Sequence, residues 1–335
     1  MENSSGGSLS LWARRQQLPS LPAAGAVASV LLLCLIASFC TQLGVFALPA
    51  AVFAGAILGS LLLLRRTLLS VAAILPVIGA VILFAPDVLS AVLTLVCIPL
   101  GIAAAAAVYR GMSRMAASVL AAVSAGGYLI IACGIRLVLE GMTAAEGAEA
   151  GRTALYGLLC SLQFTMPGGG KLAVFSPEAA ETLLTYLIPV FPAIVSVVLF
   201  LVGCAVCGIV LLIITALGAR QDFFPAGWPM RAGKSCGVIW CTAQVLLLLA
   251  VTTPNARPMY YAVYNIVIVF MIPLALTGLA VLFGQLRSME NLGTLGRVAI
   301  VFLMVMVAAA GLYWFFTAAA LYGNYIVFRR RAGGE

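Results

Sequence analysis

The side chains on which most enzymes depend are scarce in this chain. It has no histidine, and its ten acidic residues all fall outside the apolar segments. Acid–base, metal-dependent and nucleophilic catalysis need paired carboxylates, a set of metal ligands or a nucleophile beside a base, and none of these combinations occurs within an apolar segment. We therefore predict that the chain is not an enzyme and that it has no catalytic residue, no metal ligands and no cofactor.

Three short motifs have the form of a chemical or packing site. Cys204 and Cys207 form a Cys-x-x-Cys pair inside an apolar run, where no second pair, histidine or acid completes a metal site, so we interpret them as packing residues. Residues 227–235 end like a phosphate-binding P-loop, but the spacing is wrong by one residue and membrane spans flank them. Gly55 and Gly59 form a Gly-xxx-Gly motif, which favours helix packing within the chain over a dimer face.

A few polar side chains lie within the apolar segments, and the candidates for ligand binding are among them. The polar set includes Tyr264 and Thr277, and the candidates for a ligand site are Gln244, Tyr261 and Asn265. Tyr261 and Asn265 are four residues apart and therefore share one face of a helix. An amide at such a depth needs a hydrogen-bond partner, which is either another helix, the more frequent case, or a bound molecule. If a ligand binds there, we expect it to be small and neutral or zwitterionic, because the surrounding core has no charge.

Composition identifies the environment of these residues. Of the 335 residues, 64% are hydrophobic and 8% are charged, whereas about 25% are charged in an ordinary soluble domain. A soluble protein of this size could not cover its surface with so few charges, but helices whose outer faces contact lipid need none. The sequence therefore predicts an all-α, polytopic transmembrane helical bundle whose partner is the lipid bilayer. It argues against a disordered, disulfide-stapled or nucleic-acid-binding protein.

The apolar runs define about nine predicted spans, with eight or ten as alternatives. The first follows a polar tail (1–20) and is too long to be the core of a cleaved signal peptide. The sixth is 36 residues long and contains Pro189 and Pro192, so it is either one tilted helix or a kinked pair of shorter passes. The nine runs are 21–40, 43–64, 68–84, 88–109, 115–139, 182–217, 236–251, 259–285 and 298–328.

One long polar segment, 140–181, interrupts the series of apolar runs and holds five of the ten acidic residues. We predict that it lies outside the bilayer and contains an amphipathic helix, because leucines recur at the i, i+3, i+4 and i+7 positions of one helix face. The tripeptide 176–178 (Ser-Pro-Glu) has the residue types of a helix N-cap and first turn, so a new helix is expected to begin there. The leucines are Leu155, Leu158, Leu159 and Leu162. The predicted parts are a polar cytoplasmic tail (1–20), a five-span bundle (21–139), this segment, a bundle of about four spans (182–328) and a basic tail (329–335).

The distribution of basic residues predicts the orientation, because cytoplasmic loops retain arginine and lysine. With the N-terminus inside, eleven of the 18 basic residues fall on the cytoplasmic side, and the acidic segment falls outside. Nine spans would place the basic tail at 329–331 outside, which disagrees with the same rule. One apolar run, 182–217 or 298–328, would then be miscounted. The eleven residues are Arg14, Arg15, Arg65, Arg66, Arg110, Arg114, Arg220, Arg231, Lys234, Arg287 and Arg297.

The C-terminal half carries three short sequence features in a fixed order. They are an aromatic-proline-tryptophan connector (223–229), an asparagine-bearing span that ends in Gly-Leu-Ala-Val (278–281), and a final helix that closes in Phe-Arg-Arg (328–330). Over about residues 180–331 this pattern resembles the YybS-like family of uncharacterised bacterial membrane proteins, which is distantly similar to the substrate-binding S components of energy-coupling-factor transporters. The resemblance implies a multi-pass protein of the bacterial cytoplasmic membrane.

Two functions remain open at this point. The chain is either a membrane-embedded binding or transport component, with a pocket covered by the 140–181 segment, or a non-transporting structural or assembly factor that packs against other membrane proteins. The first function predicts a co-purifying small molecule, and the second predicts a stoichiometric protein partner.

Overall fold

The computed structural model describes residues 22–43, 47–64, 67–165, 171–217, 232–253, 257–288, 293–309, 317–318 and 320–321. The secondary structure in these ranges is helical apart from one short antiparallel hairpin. The elements are α1 (Ala23–Thr41), α2 (Ala47–Leu63), α3 (Thr67–Phe84), α4 (Val88–Leu95), α5 (Cys97–Tyr109), α6 (Arg114–Leu139), α7 (Ala144–Ser161), β1 (Gln163–Thr165), β2 (Lys171–Ala173), α8 (Pro177–Ala216), α9 (Lys234–Thr252), α10 (Arg257–Ser288) and α11 (Thr294–Ala309).

The predicted helical membrane class is confirmed. Within the described residues, six helical segments are long and apolar enough to cross a bilayer, so the protein is a multi-pass membrane protein by length and composition. The helices α2 and α3 are also apolar but have shorter apolar stretches, and the last predicted span continues past Ala309 beyond the described residues. The count of nine spans is therefore not confirmed. The six segments are Ala24–Thr41, Val88–Tyr109, Arg114–Leu139, Pro177–Ala216, Ser235–Thr252 and Arg257–Leu282.

The long apolar run 182–217 belongs to one helix, α8, of 40 residues, and not to a pair of shorter passes. This helix begins at Pro177, as predicted, and the Oγ of Ser176 accepts a hydrogen bond from the backbone N–H of Ala179 at 3.2 Å. At about 1.5 Å per residue α8 is roughly 60 Å long, about twice the hydrocarbon thickness of a bilayer. It therefore extends well beyond the length that one perpendicular crossing needs.

The fourth predicted span is interrupted, because α4 ends at Leu95 and α5 begins at Cys97. Pro99 accounts for the interruption. It has no N–H to donate to the carbonyl of Leu95, four residues earlier, and its ring crowds that carbonyl. Asp87 lies at the turn before α4, and its carboxylate accepts a hydrogen bond from the backbone N–H of Ser90 at 2.7 Å.

Internal contacts divide the chain into two compact units. Unit 1 comprises Met1–Leu129, Val198–Gly237 and Met271–Glu335, and unit 2 comprises Ile130–Val197 and Val238–Phe270. Unit 1 thus contains the N-terminal helices α1 to α5. Unit 2 contains the polar segment that is predicted to lie outside the bilayer.

In unit 1, α2 and α5 approach each other closely through glycines. A Cβ atom added to Gly101 of α5 would lie 2.7 Å from the carbonyl oxygen of Gly55, and one added to Gly59 would lie 3.0 Å from the carbonyl oxygen of Gly101. Because nothing larger than hydrogen fits there without a shift of backbone, the Gly-xxx-Gly motif is confirmed as an intramolecular packing site. Gly55 faces Cys97 and Gly59 faces Gly101, so α2 and α5 run in the same direction.

The helices α6 and α8 also pack through glycines in unit 1, but they run in opposite directions. A Cβ atom on Gly203 of α8 would lie 2.6 Å from the carbonyl oxygen of Ser118, and one on Gly208 would lie 3.3 Å from Nη2 of Arg114. The residue number on α6 therefore falls as the number on α8 rises, which is the pattern of an antiparallel pair.

In unit 2, α7 packs on the first turns of α8. Leu159 of α7 is buried in a cluster with Ala180 and Leu184 of α8. Arg152 of α7 forms an ion pair with Glu181 of α8. The helix predicted from the leucine spacing is therefore present.

Two of the four leucines of the predicted α7 face pack against α8. Leu159 is buried and Leu155 packs against the same cluster, but Leu158 is 46% exposed and Leu162, which follows the last helical residue, is 43% exposed. Tyr156 and Cys160 also pack against this cluster. The side of α7 that contacts α8 therefore carries Leu155 and Leu159 together with Tyr156 and Cys160.

Candidate functional site

Asn265 of α10 bonds through its side-chain amide to the backbone of α8, and both partners lie in unit 2. Its Nδ2 donates to the carbonyl oxygen of Pro189 at 2.7 Å and to that of Tyr261, one turn earlier on α10, at 2.9 Å. Its Oδ1 accepts a hydrogen bond from the backbone N–H of Ala193 at 3.2 Å. Both amide hydrogens are therefore in use, and one lone pair of Oδ1 is left over.

The α8 partners of Asn265 are the two ends of one helical hydrogen bond. In an unbroken α-helix the N–H of residue 193 donates to the carbonyl of residue 189. Pro189 and Pro192 disturb this part of α8, because neither ring nitrogen carries a hydrogen and each ring crowds the carbonyl four residues earlier. The Asn265 amide donates to the carbonyl of Pro189 and accepts from the N–H of Ala193, so it bonds to both groups as a backbone peptide group would. These contacts are those of the packing alternative, in which a neighbouring helix bonds to backbone groups beside a proline.

Tyr261 takes part in this arrangement through its backbone carbonyl. Its ring lies edge-on to that of Tyr260, with centroids 5.4 Å apart, and Tyr260 stacks with Tyr264 at 5.8 Å. The structure therefore brings Tyr261 and Asn265 together, as their spacing predicts. A group of tyrosines at the start of an apolar helix is also typical of a membrane–water interface.

Gln244 of α9 differs from Asn265 because its amide nitrogen is unsatisfied. Its Nε2 is shielded from solvent and has no hydrogen-bond partner among the described residues. A buried N–H group without a partner costs about 1–3 kcal/mol. In the part of the chain that the structure describes, no hydrogen bond joins Gln244 to Tyr261 or Asn265. Of the three predicted residues, Tyr261 and Asn265 are therefore joined by a hydrogen bond, whereas Gln244 is separate and its amide nitrogen is unsatisfied.

Two hydroxyl groups donate hydrogen bonds to the carbonyl oxygens of prolines, and these contacts were not predicted from the sequence. Thr277 of α10, in unit 1, donates to the carbonyl oxygen of Pro273 at 2.8 Å and accepts from the backbone N–H of Ala232 at 2.8 Å. Ser196 of α8 donates to the carbonyl oxygen of Pro192 at 2.7 Å. Each hydroxyl stands four residues after its proline, so a Pro-xxx-Ser/Thr spacing within an apolar run would have revealed both bonds.

The cysteine pair of α8 has the surroundings of a packing site. Cys207 is buried, Cys204 lies partly buried beside Ser118, and all nine cysteines of the chain are free thiols. Over the described ranges, no group of three His, Cys, Asp or Glu side chains is placed to hold a metal ion. The P-loop-like motif at 227–235 lies mostly outside the described residues.

These observations define a class of protein. The chain is a multi-pass helical membrane protein in which polar side chains hold proline-disturbed helices together. No family model, curated protein or solved structure matches it. The resemblance to the YybS-like family therefore stays a prediction.

Proposed function

We propose that the protein is a membrane-embedded component that binds or transports a small molecule, and that Gln244 contacts this molecule. The observation that carries the proposal is the buried Nε2 of Gln244, which lacks a partner among the described residues. An acceptor atom on a ligand would remove the penalty of about 1–3 kcal/mol that such a donor carries. The proposal also accounts for an amide at a position where an apolar side chain would be more stable.

The proposed ligand is neutral or zwitterionic. No charged residue follows Lys234 on α9, and none lies between Arg257 and Arg287 on α10. A ligand with a net charge would need a compensating charge inside the bilayer, whereas an amide and phenol groups suffice to orient a molecule without one.

The proposed site contains Gln244, with Tyr261 and Asn265 as its candidate neighbours. Asn265 already uses both amide hydrogens, so its main contribution is to hold α8 and α10 together. For this reason we assign the main contact with the ligand to Gln244. The hydroxyl of Tyr261 is a second proposed contact.

We propose further that the protein lies in the cytoplasmic (inner) membrane of a bacterium with its N-terminus inside. The helix directions support alternating crossings, since the second and fourth predicted spans are parallel and the fifth and sixth are antiparallel. This favours counting the short helices α2 and α3 as spans. The number of membrane spans is then eight up to Ser288, and it becomes nine when the last apolar run is included.

A non-transporting structural or assembly factor is the second candidate. The same Gln244 donor favours it, because a helix of another membrane protein supplies an acceptor as well as a small molecule does. Neither candidate involves a catalytic step or a cofactor.

Native mass spectrometry of the protein, purified without added ligand, separates the two candidates. We expect the wild type to carry a co-purified small molecule and Gln244→Leu to lose it. The variant should keep or raise its melting temperature, because leucine removes the unsatisfied donor. Thr252→Ala, an exposed change on the same helix, is the matched control and should retain the molecule.

Two outcomes would count against the proposal, one against ligand binding and one against the role of Gln244. A stoichiometric protein partner that is lost from Gln244→Leu would favour the assembly factor. A small molecule retained in full by Gln244→Leu would contradict the assignment of Gln244.

A further inference from the structure

The helix α8 is weakened at one place. Pro189 and Pro192 remove two N–H donors, so the carbonyls of Thr185 and Ile188 lose their usual helical partners. Immediately after this gap, Asn265 of α10 bonds to the carbonyl of residue 189 and to the N–H of residue 193. The backbone here is therefore supported by a neighbouring helix as well as by its own hydrogen bonds.

The part of α8 before the prolines is tied to α7. Leu159 packs with Ala180 and Leu184, and Arg152 pairs with Glu181. These contacts join α7 (144–161) and the first segment of α8 (177–188) into one packed body, which we call the arm. The arm meets the rest of α8 at residues 189–192, where the helix is weakest.

We propose that the arm swings about residues 189–192 and that Asn265 is the latch that holds the conformation described here. Two interhelical hydrogen bonds form the latch, and each is worth about a threefold change in an equilibrium constant inside a membrane protein. Together they favour the latched state by about eightfold. A ligand or partner with a modest preference for the released state would therefore shift the population. The inference does not depend on a ligand at Gln244.

The alternative is a static brace, in which Asn265 merely stabilises a fixed helix. The two roles differ in where the backbone opens when the latch is removed. A hinge opens only around residues 189–193 and leaves the arm intact, whereas loss of a brace loosens the arm as a whole.

Hydrogen–deuterium exchange of the full chain in detergent tests the hinge. Four proteins are compared: the wild type, Asn265→Leu, the double variant Pro189→Ala/Pro192→Ala, and the triple variant that combines them. We expect Asn265→Leu to accelerate exchange of the backbone amides of residues 190, 191 and 193 by about eightfold, with the amides inside the arm unchanged. In the double-alanine background the helix regains two donors of its own, so Asn265→Leu should have little effect there. Ser196→Ala removes a bond within α8 and is the control that should leave exchange at residue 193 unchanged.

Three results would overturn the proposal. They are an unchanged rate in Asn265→Leu, an acceleration that spreads through the arm, and an equal effect of Asn265→Leu in both backgrounds. If Asn265→Leu does not fold, the double variant Pro189→Ala/Pro192→Ala alone tests the hinge. Its amides at residues 190, 191 and 193 must exchange more slowly than in the wild type, and an unchanged rate would contradict the hinge.

Discussion

Replacing Gly101 with alanine should destabilise the bundle, because the new methyl group would meet backbone atoms of α2. An added Cβ would lie 2.7 Å from the carbonyl oxygen of Gly55 and 3.2 Å from the backbone nitrogen of Gly59. Both neighbours are backbone atoms, so the helices themselves must move apart. Overpacking of this kind costs roughly 1–3 kcal/mol, while the higher helix propensity of alanine offsets at most about 1 kcal/mol. We expect a net loss of up to about 2 kcal/mol relative to the wild type.

Gly79→Ala is the matched control for Gly101→Ala. Gly79 lies on α3, and no atom is within 4 Å of its added Cβ, so this change should leave stability equal to or slightly above that of the wild type. Denaturant titration in detergent micelles, followed to a reversible midpoint, measures both variants against the wild type. Equal stability of the two variants would refute the close packing of α2 on α5.

Three other predictions concern topology and the segment around α7. A reporter fused after Arg114 should report the cytoplasm and one placed within 145–175 should report the outside, and a cytoplasmic signal from 145–175 would reverse the proposed orientation. Leu159→Glu should detach α7 from α8 and speed its cleavage by added protease, whereas Leu158→Glu, at an exposed position, should not; equal cleavage would show that α7 does not pack as described. Thr143 is the N-cap residue of α7, and hydrogen bonds from its backbone N–H and then from its hydroxyl lower the pKa of Glu146. Because its pKa is lowered from 4.5, its stabilisation of α7 is complete above about pH 4.5 and is lost as the pH falls through the folded pKa. Exchange of α7 amides, corrected for the intrinsic rate, should therefore accelerate in that range, and a flat profile would contradict the capping role.

Local signals in the sequence predicted the ends and close contacts of several helices. The start of α8 at Pro177 follows from the residue types at 176–178, because capping is decided within one turn. The packing role of Gly55 and Gly59 follows in the same way from their spacing and lack of a side chain. Such features depend on residues that are close together in the sequence, so they can be predicted without knowing which distant segments pack nearby.

Contacts between distant segments could not be predicted from these signals. Asn265 was expected to need a partner, but its α8 partners lie 72 and 76 residues away along the chain, and helix packing selects them. The leucine period of α7 predicted a helix, yet only its contact with Ala180 and Leu184 shows which side is buried. The break before Cys97 was missed because hydropathy is uniform across it, although Pro99 is visible in the sequence.

A cryo-electron microscopy map of the protein, purified without added ligand, tests the assignment of Gln244 most directly. The account predicts non-protein density within hydrogen-bonding distance of Nε2, about 2.7–3.2 Å from that nitrogen. An acceptor from the chain itself at that place, or one from a second polypeptide, would contradict it.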